Sequence, residues 1–267
     1  MPGEALTWLT YAGLGVVVGF FSGLLGIGGG SMIVPILGLV FVAFGFPPDQ
    51  VMHLSLGTSL AAILAATASG ARAHQAHGAV RGDIVKGLAP GIAAAGLAAG
   101  AIARVVSVAF LKYFFLAFMF YVTTQILFGL KPARARPVPG RLGLFGVGAL
   151  IGGLSGLAGV GGAMISVPFM TAWGVPFKSA IGTSAAISFV VAVAGTIGYV
   201  AAGLTVPSLP AWTVGYVYLP ALLGISVTSV FVAPWGARVA HRLPVGHLKK
   251  AFAVFLLALA VKLITAL

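Results

Sequence analysis

Ten apolar segments, separated by short polar or glycine-rich stretches, run along the 267-residue chain. Most approach the roughly 20 residues that an α-helix needs to cross the hydrocarbon core of a bilayer. The second and seventh segments are short, and each follows a glycine-rich loop. The predicted segments lie at about 12–27, 31–45, 52–71, 86–103, 111–130, 142–160, 164–174, 178–201, 212–235 and 248–266.

The two glycine-rich loops belong to a repeat that extends along the whole chain. The stretch from Gly23 to Pro35 returns as Gly156 to Pro168 with the same spacing of glycines. Further on, Leu56-Gly57-Thr58-Ser59 has a counterpart in Ile181-Gly182-Thr183-Ser184. We therefore interpret the chain as a duplication with five segments per half. The predicted units are an N-terminal repeat at 1–130, a basic linker at 131–141 and a C-terminal repeat at 142–267.

Composition assigns the chain to the membrane-protein class. Hydrophobic residues make up 60% of it and charged residues only 7%, whereas a soluble domain has roughly 25% charged residues. The formal net charge of +12 comes from basic residues in short loops between apolar segments, which indicates membrane topology rather than nucleic-acid binding. The absence of cysteine excludes disulfides, thiolate metal sites and thiol catalysis.

Loop charges predict that the two repeats have opposite orientations. The linker at 131–141 carries four positive charges and no negative charge, so it is expected in the cytoplasm, together with the basic loop around Arg238. The uncharged loop at 203–210 is expected outside. Its counterpart in the first repeat carries Arg72 and Arg81 and is expected inside.

The predicted fold is an all-α polytopic membrane protein made of two inverted-topology repeats. Each repeat would contain a glycine-broken helical hairpin followed by three transmembrane helices, because equivalent loops then face opposite sides. The protein is expected to be a multi-pass membrane protein.

An irregular glycine loop at membrane depth is tolerated only where it is buried or lines a polar cavity. The free N–H groups that start the following half-helix, together with its positive dipole end, favour an anion. Hydroxyl groups of the paired Gly-Thr-Ser motifs are candidate additional donors. The predicted substrate-binding residues are Gly28, Gly29, Gly30, Ser31, Thr58, Ser59, Gly161, Gly162, Ala163, Met164, Thr183 and Ser184.

Other interpretations of these residues stay open at this point. The glycines would then have only a structural role, letting helices pack closely. Each hydroxyl would likewise only donate to a carbonyl of its own helix. A passive anion channel would share the loops. An intramembrane serine protease would use Ser155 with His241, but the same serine recurs as Ser22, which favours a symmetric structural role.

Acidic residues are scarce, and Glu4, Asp49 and Asp83 all fall outside the predicted apolar segments. A cation carrier is therefore disfavoured. We expect no metal, no cofactor and no enzymatic activity.

The paired Gly-x-Gly-Gly-(Gly/Ala)-x-x-x-Val-Pro signature, from Gly26 to Pro35 and from Gly159 to Pro168, resembles the sulfite exporter TauE/SafE family, also called the toluene sulfonate uptake permease family. Ala163 stands where the family usually has a third glycine. The resemblance implies a bacterial inner-membrane secondary transporter of sulfur-containing or organic anions, such as sulfite, sulfoacetate or other sulfonates. The expected partners are this small anion and membrane lipid, without nucleic acid. The oligomeric state, with a homodimer among the options, the direction of transport and the coupling ion stay open.

Overall fold

The structure is a computed structural model that describes residues 4–25, 29–128, 137–240 and 245–266. These residues form eleven α-helices and one short two-stranded antiparallel ribbon. The elements are α1 (Glu4–Leu25), α2 (Gly30–Ala43), α3 (Pro48–Ala62), α4 (Leu64–Ala76), α5 (Gly82–Val105), α6 (Val108–Phe128), α7 (Arg141–Ala158), α8 (Ala163–Ala172), α9 (Phe177–Gly203), β1 (Thr213–Val214), β2 (Val217–Tyr218), α10 (Leu219–Ala240) and α11 (Val245–Ala266).

Six stretches of the described residues are long and apolar enough to cross a membrane. The shorter apolar helices include α2 and α8, which occupy nearly the predicted positions of the two short segments. The predicted class, an all-α polytopic membrane protein, is confirmed. The spans are Ala5–Ser22, Pro48–Ala76, Gly82–Val105, Val108–Phe128, Arg141–Ala158 and Phe177–Gly203.

The predicted segment 52–71 is divided in the structure. Helices α3 and α4 meet at Ile63, where the main chain bends while its hydrogen bonds continue from Ile63 N–H to Ser59 O and from Thr67 N–H to Ile63 O. The Thr67 hydroxyl also donates to Ile63 O at 2.8 Å. Such back-bonding bends helices, and it supports the break at this position.

The predicted segment 212–235 begins later than expected. Its first residues form the β1–β2 ribbon, because Trp212 and Gly215 have positive φ angles of 64° and 55° that an α-helix does not allow. Helix α10 then starts at Leu219, with Pro220 in its first turn.

Close packing between the two halves joins helices that are distant in sequence. Helix α5 lies against α7, and α1 lies against α10. A Cβ placed on Gly148 would meet the backbone of Leu88, and one on Gly152 would meet the backbone of Ile92. Because both numbers rise together, α5 and α7 run parallel. The glycines let these backbones approach closely, as is typical of helix contacts in membranes.

The equivalent helices of the two repeats run in opposite directions where they meet. Gly195 of α9 packs against Leu60 of α3, whereas Ala185 of α9 lies beside Gly70 of α4. The order is reversed, so α9 is antiparallel to the α3–α4 span. Inverted topology and the repeat boundaries stay predictions. The antiparallel course of these two spans is the arrangement that inverted topology requires.

Candidate functional site

Helices α2 and α8 both begin in the glycine loops. The N-cap of α2 is Gly29, whose carbonyl oxygen accepts the N–H groups of Met32 and Ile33 at 3.1 Å each. Gly162 is the N-cap of α8, and its carbonyl accepts in the same way from the first turn. Neither N-cap has a side-chain hydrogen bond. Both helices therefore start with backbone donors that the helix itself does not use.

These unused donors belong to residues predicted for the site. They are the N–H groups of Gly30 and Ser31 in α2 and of Ala163 and Met164 in α8, which precede the first residue that bonds back within each helix. Gly30 and Ser31 are buried, while Ala163 and Met164 are partly buried. The predicted residue Gly28 lies outside the described residues.

The structure brings the two loops into direct contact. A Cβ on Gly30 would lie 3.1 Å from Val160 Cα and 3.4 Å from Gly161 N. The Ser59 hydroxyl donates to Gly159 O at 2.7 Å and lies 3.4 Å from Gly30 O. One buried side chain therefore contacts the backbone of both loops.

The second loop lies at half the depth of two membrane spans. A Cβ on Gly161 would lie 3.2 Å from Ser188 Cβ and 3.7 Å from Ile63 Cδ1. Ser188 is near the middle of α9, and Ile63 is near the middle of the span Pro48–Ala76. The two helix starts thus meet in the interior of the helix bundle.

The threonines of the Gly-Thr-Ser motifs accept hydrogen bonds from the opposite repeat. Thr58 Oγ1 accepts the N–H of Tyr218 at 2.9 Å, and Thr183 Oγ1 accepts the N–H of Arg81 at 2.9 Å. Tyr218 directly precedes α10, and Arg81 directly precedes α5. Each threonine therefore fixes the start of the fourth apolar segment of the other repeat.

The other members of the motifs differ in what they contact. Gly182 lets α9 approach the Ala79 carbonyl, which a Cβ would meet at 2.7 Å. Ser59 contacts the glycine loops, whereas the Ser184 hydroxyl donates to Ile181 O of its own helix at 2.7 Å. A direct contact of the four hydroxyls with substrate stays a prediction.

Sequence reasoning did not include three buried serines of the second repeat among the substrate-binding residues, and Ser155 was considered only as a protease nucleophile. Ser155 and Ser166 are fully buried, and neither hydroxyl has a hydrogen-bond partner among the described residues. Ser188 borders Gly161. The sequence did contain a signal for two of these serines. When the two repeats are aligned, Ser166 and Ser188 stand where the first repeat has Ile33 and Ile63.

His53 is a buried histidine close to the ribbon. Its Nε2 lies 2.9 Å from Ala103 O and its Nδ1 lies 3.1 Å from Asp49 O. The ring of Tyr216 stacks on the imidazole with centroids 4.9 Å apart, and burial raises the pKa of this phenol. His53 therefore joins the start of α3 to the end of α5.

No ion pair is recorded at the glycine loops in the described part of the chain. Its one recorded salt bridge joins Arg81 and Asp83 at 2.6 Å, and both side chains are exposed. No cluster of three or more potential metal ligands occurs among the described residues. Ser155 is buried, and its suggested base His241 lies outside the described residues.

The apolar spans and the buried pair of half-helix starts define a multi-pass helical membrane protein. The chain belongs to the sulfite exporter TauE/SafE family, whose family model matches residues 11–263. This confirms the resemblance noted in the signature residues.

Curated relatives carry transporter names. The chain is 35% identical over 259 residues to a "Probable membrane transporter protein" of Haemophilus influenzae, covering 94% of this chain and 95% of the relative. It is 29% identical over 247 residues to the probable membrane transporter protein YdhB of Bacillus subtilis, covering 89% and 91%. A probable membrane transporter of Methanocaldococcus jannaschii is 23% identical over 239 residues, covering 88% and 87%. No solved structure matches significantly. These names and the family indicate a membrane transporter rather than an enzyme.

Proposed function

We propose that this membrane transporter binds a small oxyanion between the two glycine loops and moves it across the membrane by alternating access. The observation that carries the proposal is the meeting of the loops, in which Gly30 packs on Val160 and Gly161 at half the depth of the spans. Two helix starts converge there from opposite repeats, which is the arrangement that secondary transporters use for their substrates.

The chemistry of the loops suits an anion. Each helix start carries about half a positive elementary charge from its aligned peptide dipoles. The unused N–H groups of Gly30, Ser31, Ala163 and Met164 are ready-made donors for oxygen atoms. In the low-dielectric interior such donors act more strongly than they would in water.

The proposed substrates are sulfur-containing or organic oxyanions such as sulfite, sulfoacetate or other sulfonates. The family description names sulfite. A sulfite or sulfonate group offers three oxygen atoms, which match several converging N–H donors. The chain has only three carboxylate residues, Glu4, Asp49 and Asp83, and the sequence places none of them in either loop.

The burial of the loops supports alternating access. A Cβ on Gly159 would lie 2.9 Å from both Leu56 Cα and Val34 Cγ2, so the second loop packs tightly on α2 and α3. Substrate exchange requires this contact to open. We propose that one repeat rocks against the other, opening the contact toward one side at a time.

The proposed location is the bacterial inner membrane, with the basic linker at 131–141 in the cytoplasm. Support comes from the positive charges of this linker and from the positive-inside rule. The exposed Arg81–Asp83 pair lies at the start of α5, on the face that the same rule assigns to the cytoplasm.

A pair of glycine variants tests the proposal in proteoliposomes. Gly30→Val places a side chain between the loops, so uptake of labelled sulfite or sulfoacetate should fall at least about tenfold. Gly146→Val is the matched control, because Gly146 lies within α7 with nothing near its Cβ position. Gel filtration checks that both variants remain folded.

Three outcomes decide the proposal. Loss of uptake only in folded Gly30→Val supports it, and undiminished uptake in this variant contradicts it. The milder Gly30→Ala extends the test if the valine variant does not fold. Uptake that rises linearly with anion concentration, without saturation, would favour a passive anion channel.

A further inference from the structure

The environments of the two glycine loops are not equivalent. Ser188 and Ser166 stand in the second repeat where the first repeat has Ile63 and Ile33. All four side chains are buried, with at most 4% of their surface exposed. The second repeat therefore has serine at two buried positions near its loop where the first repeat has isoleucine.

Ser188 lies directly against the second loop. Its Oγ would be 3.1 Å from a Cβ on Gly161, a tighter contact than Cβ atoms usually make. Any larger residue at Gly161 would therefore press on this hydroxyl. Since glycine occupies the position, the Ser188 hydroxyl faces the loop backbone.

Ser155 lies at the same loop on the side of α7. Its carbonyl accepts the N–H of Val160 at 3.0 Å, so the residue adjoins the loop. One turn earlier on the same helix face, Ile151 would meet a Cβ on Gly162 at 3.0 Å. The fully buried Ser155 therefore lies on the face of α7 that meets the second loop.

Ser166 supplies a third hydroxyl, one turn after the N-cap of α8. Its N–H donates to Gly162 O at 2.9 Å, and the residue is fully buried. The hydroxyls of Ser155 and Ser166 have no partner among the described residues. A buried polar group without a partner costs about 1–3 kcal/mol, so a ligand that accepts from these groups explains their presence.

We propose that the second loop is the main anion half-site, with Ser188 and Ser155 donating hydrogen bonds alongside the N–H groups of Ala163 and Met164. Gly30 and the first loop then cover the anion and contribute less to its binding than the second loop does. This inference rests on the proposed function, since it says which half of the site holds the anion.

Thermal shifts of the purified full-length protein test the asymmetry. The probes are sulfite, thiosulfate, sulfoacetate and taurine, and the one that raises the melting temperature most is titrated against each variant. Ser188→Ala and Ser155→Ala should each weaken binding about tenfold, because a hydrogen bond to a charged group is lost. Ser22→Ala, the repeat counterpart of Ser155→Ala, should change binding less than about twofold.

Ser55→Ala is the folding control, because Ser55 is a fully buried serine that donates to Val51 O of its own helix. Equal weakening by Ser22→Ala and Ser155→Ala would overturn the asymmetry and leave the proposed function intact. Unchanged affinity in Ser188→Ala would overturn it as well. If no probe stabilises the wild-type protein, the proposed anion function itself fails.

Discussion

Single hydroxyl groups hold the two repeats together in the interior. Thr58 and Thr183 are fully buried, and each accepts a backbone N–H from the other repeat at 2.9 Å. The paired motif therefore has a demonstrated structural contact in both halves. The glycines beside them, Gly57 and Gly182, remove the Cβ atoms that would block this approach.

Replacing these threonines by valine should destabilise the protein. Thr58→Val and Thr183→Val keep the side-chain shape but leave the N–H of Tyr218 or Arg81 without its acceptor. A loss of about 1–3 kcal/mol in the free energy of unfolding is expected for each. Denaturant titration in detergent measures it. Thr265→Val, at an exposed hydroxyl of α11, is the control, and an equal midpoint in all three variants would refute the structural role.

At the scale of helices, glycine positions decide which helices pack together. The face of α7 that carries Gly148 and Gly152 lies on the backbone of α5. Gly146, on the same helix, has no neighbour at its Cβ position. The number of glycines in a helix therefore does not identify a helix contact. The face of the helix on which each glycine lies decides what it packs against.

A comparison of two valine substitutions tests this contact. Gly148→Val drives a side chain into Leu88, where the Cα and carbonyl carbon lie 3.1 and 3.0 Å from the Cβ position and cannot rotate away. The expected loss of unfolding free energy is about 3 kcal/mol or more. Gly146→Val should stay within about 0.5 kcal/mol of wild type. Similar melting temperatures of the two variants would rule out the close α5–α7 packing.

The whole molecule is interlocked, since each repeat completes the other. Helix α1 packs on α10 and α5 packs on α7, so the first segment of each half lies against the fourth segment of the other. Two separate bundles would have made contacts mainly within each half. The interlocking places both glycine loops at the same point in the interior.

Separated halves should therefore fail to fold alone. We expect residues 1–136 or 137–267, expressed singly, to be degraded or rapidly cleaved by trypsin in detergent. Co-expression should restore a complex that co-purifies on a tag carried by one half. The intact chain with the same tag is the control. A single half that resists trypsin as well as the intact chain would contradict the interlocked arrangement.

Several elements could be predicted because their signals are local. Segment length and low charge identify membrane helices, and α2 and α8 follow the glycine loops nearly where the sequence placed them. The break at Ile63 and the ribbon before α10 were not predicted. A bent helix keeps its apolar pattern, and the positive φ of Trp212 has no sequence signature.

The site was predictable only in part. The glycine signature identified loops that the structure brings together at Gly30 and Gly161. The partners of Thr58 and Thr183 lie in segments more than 100 residues away, so no local pattern reveals them. Ser188 was missed because a single serine in an apolar helix most often bonds to its own backbone.

The membrane class and the family could be recognised from the sequence alone, because hydropathy and signature residues are properties of the chain that need no coordinates. The tertiary structure was needed to show that α5 meets α7, that Ser59 contacts both loops and that Ser188 lies against Gly161. These contacts depend on which face of each helix meets its neighbour. That choice is made by the close packing of small residues across the whole bundle.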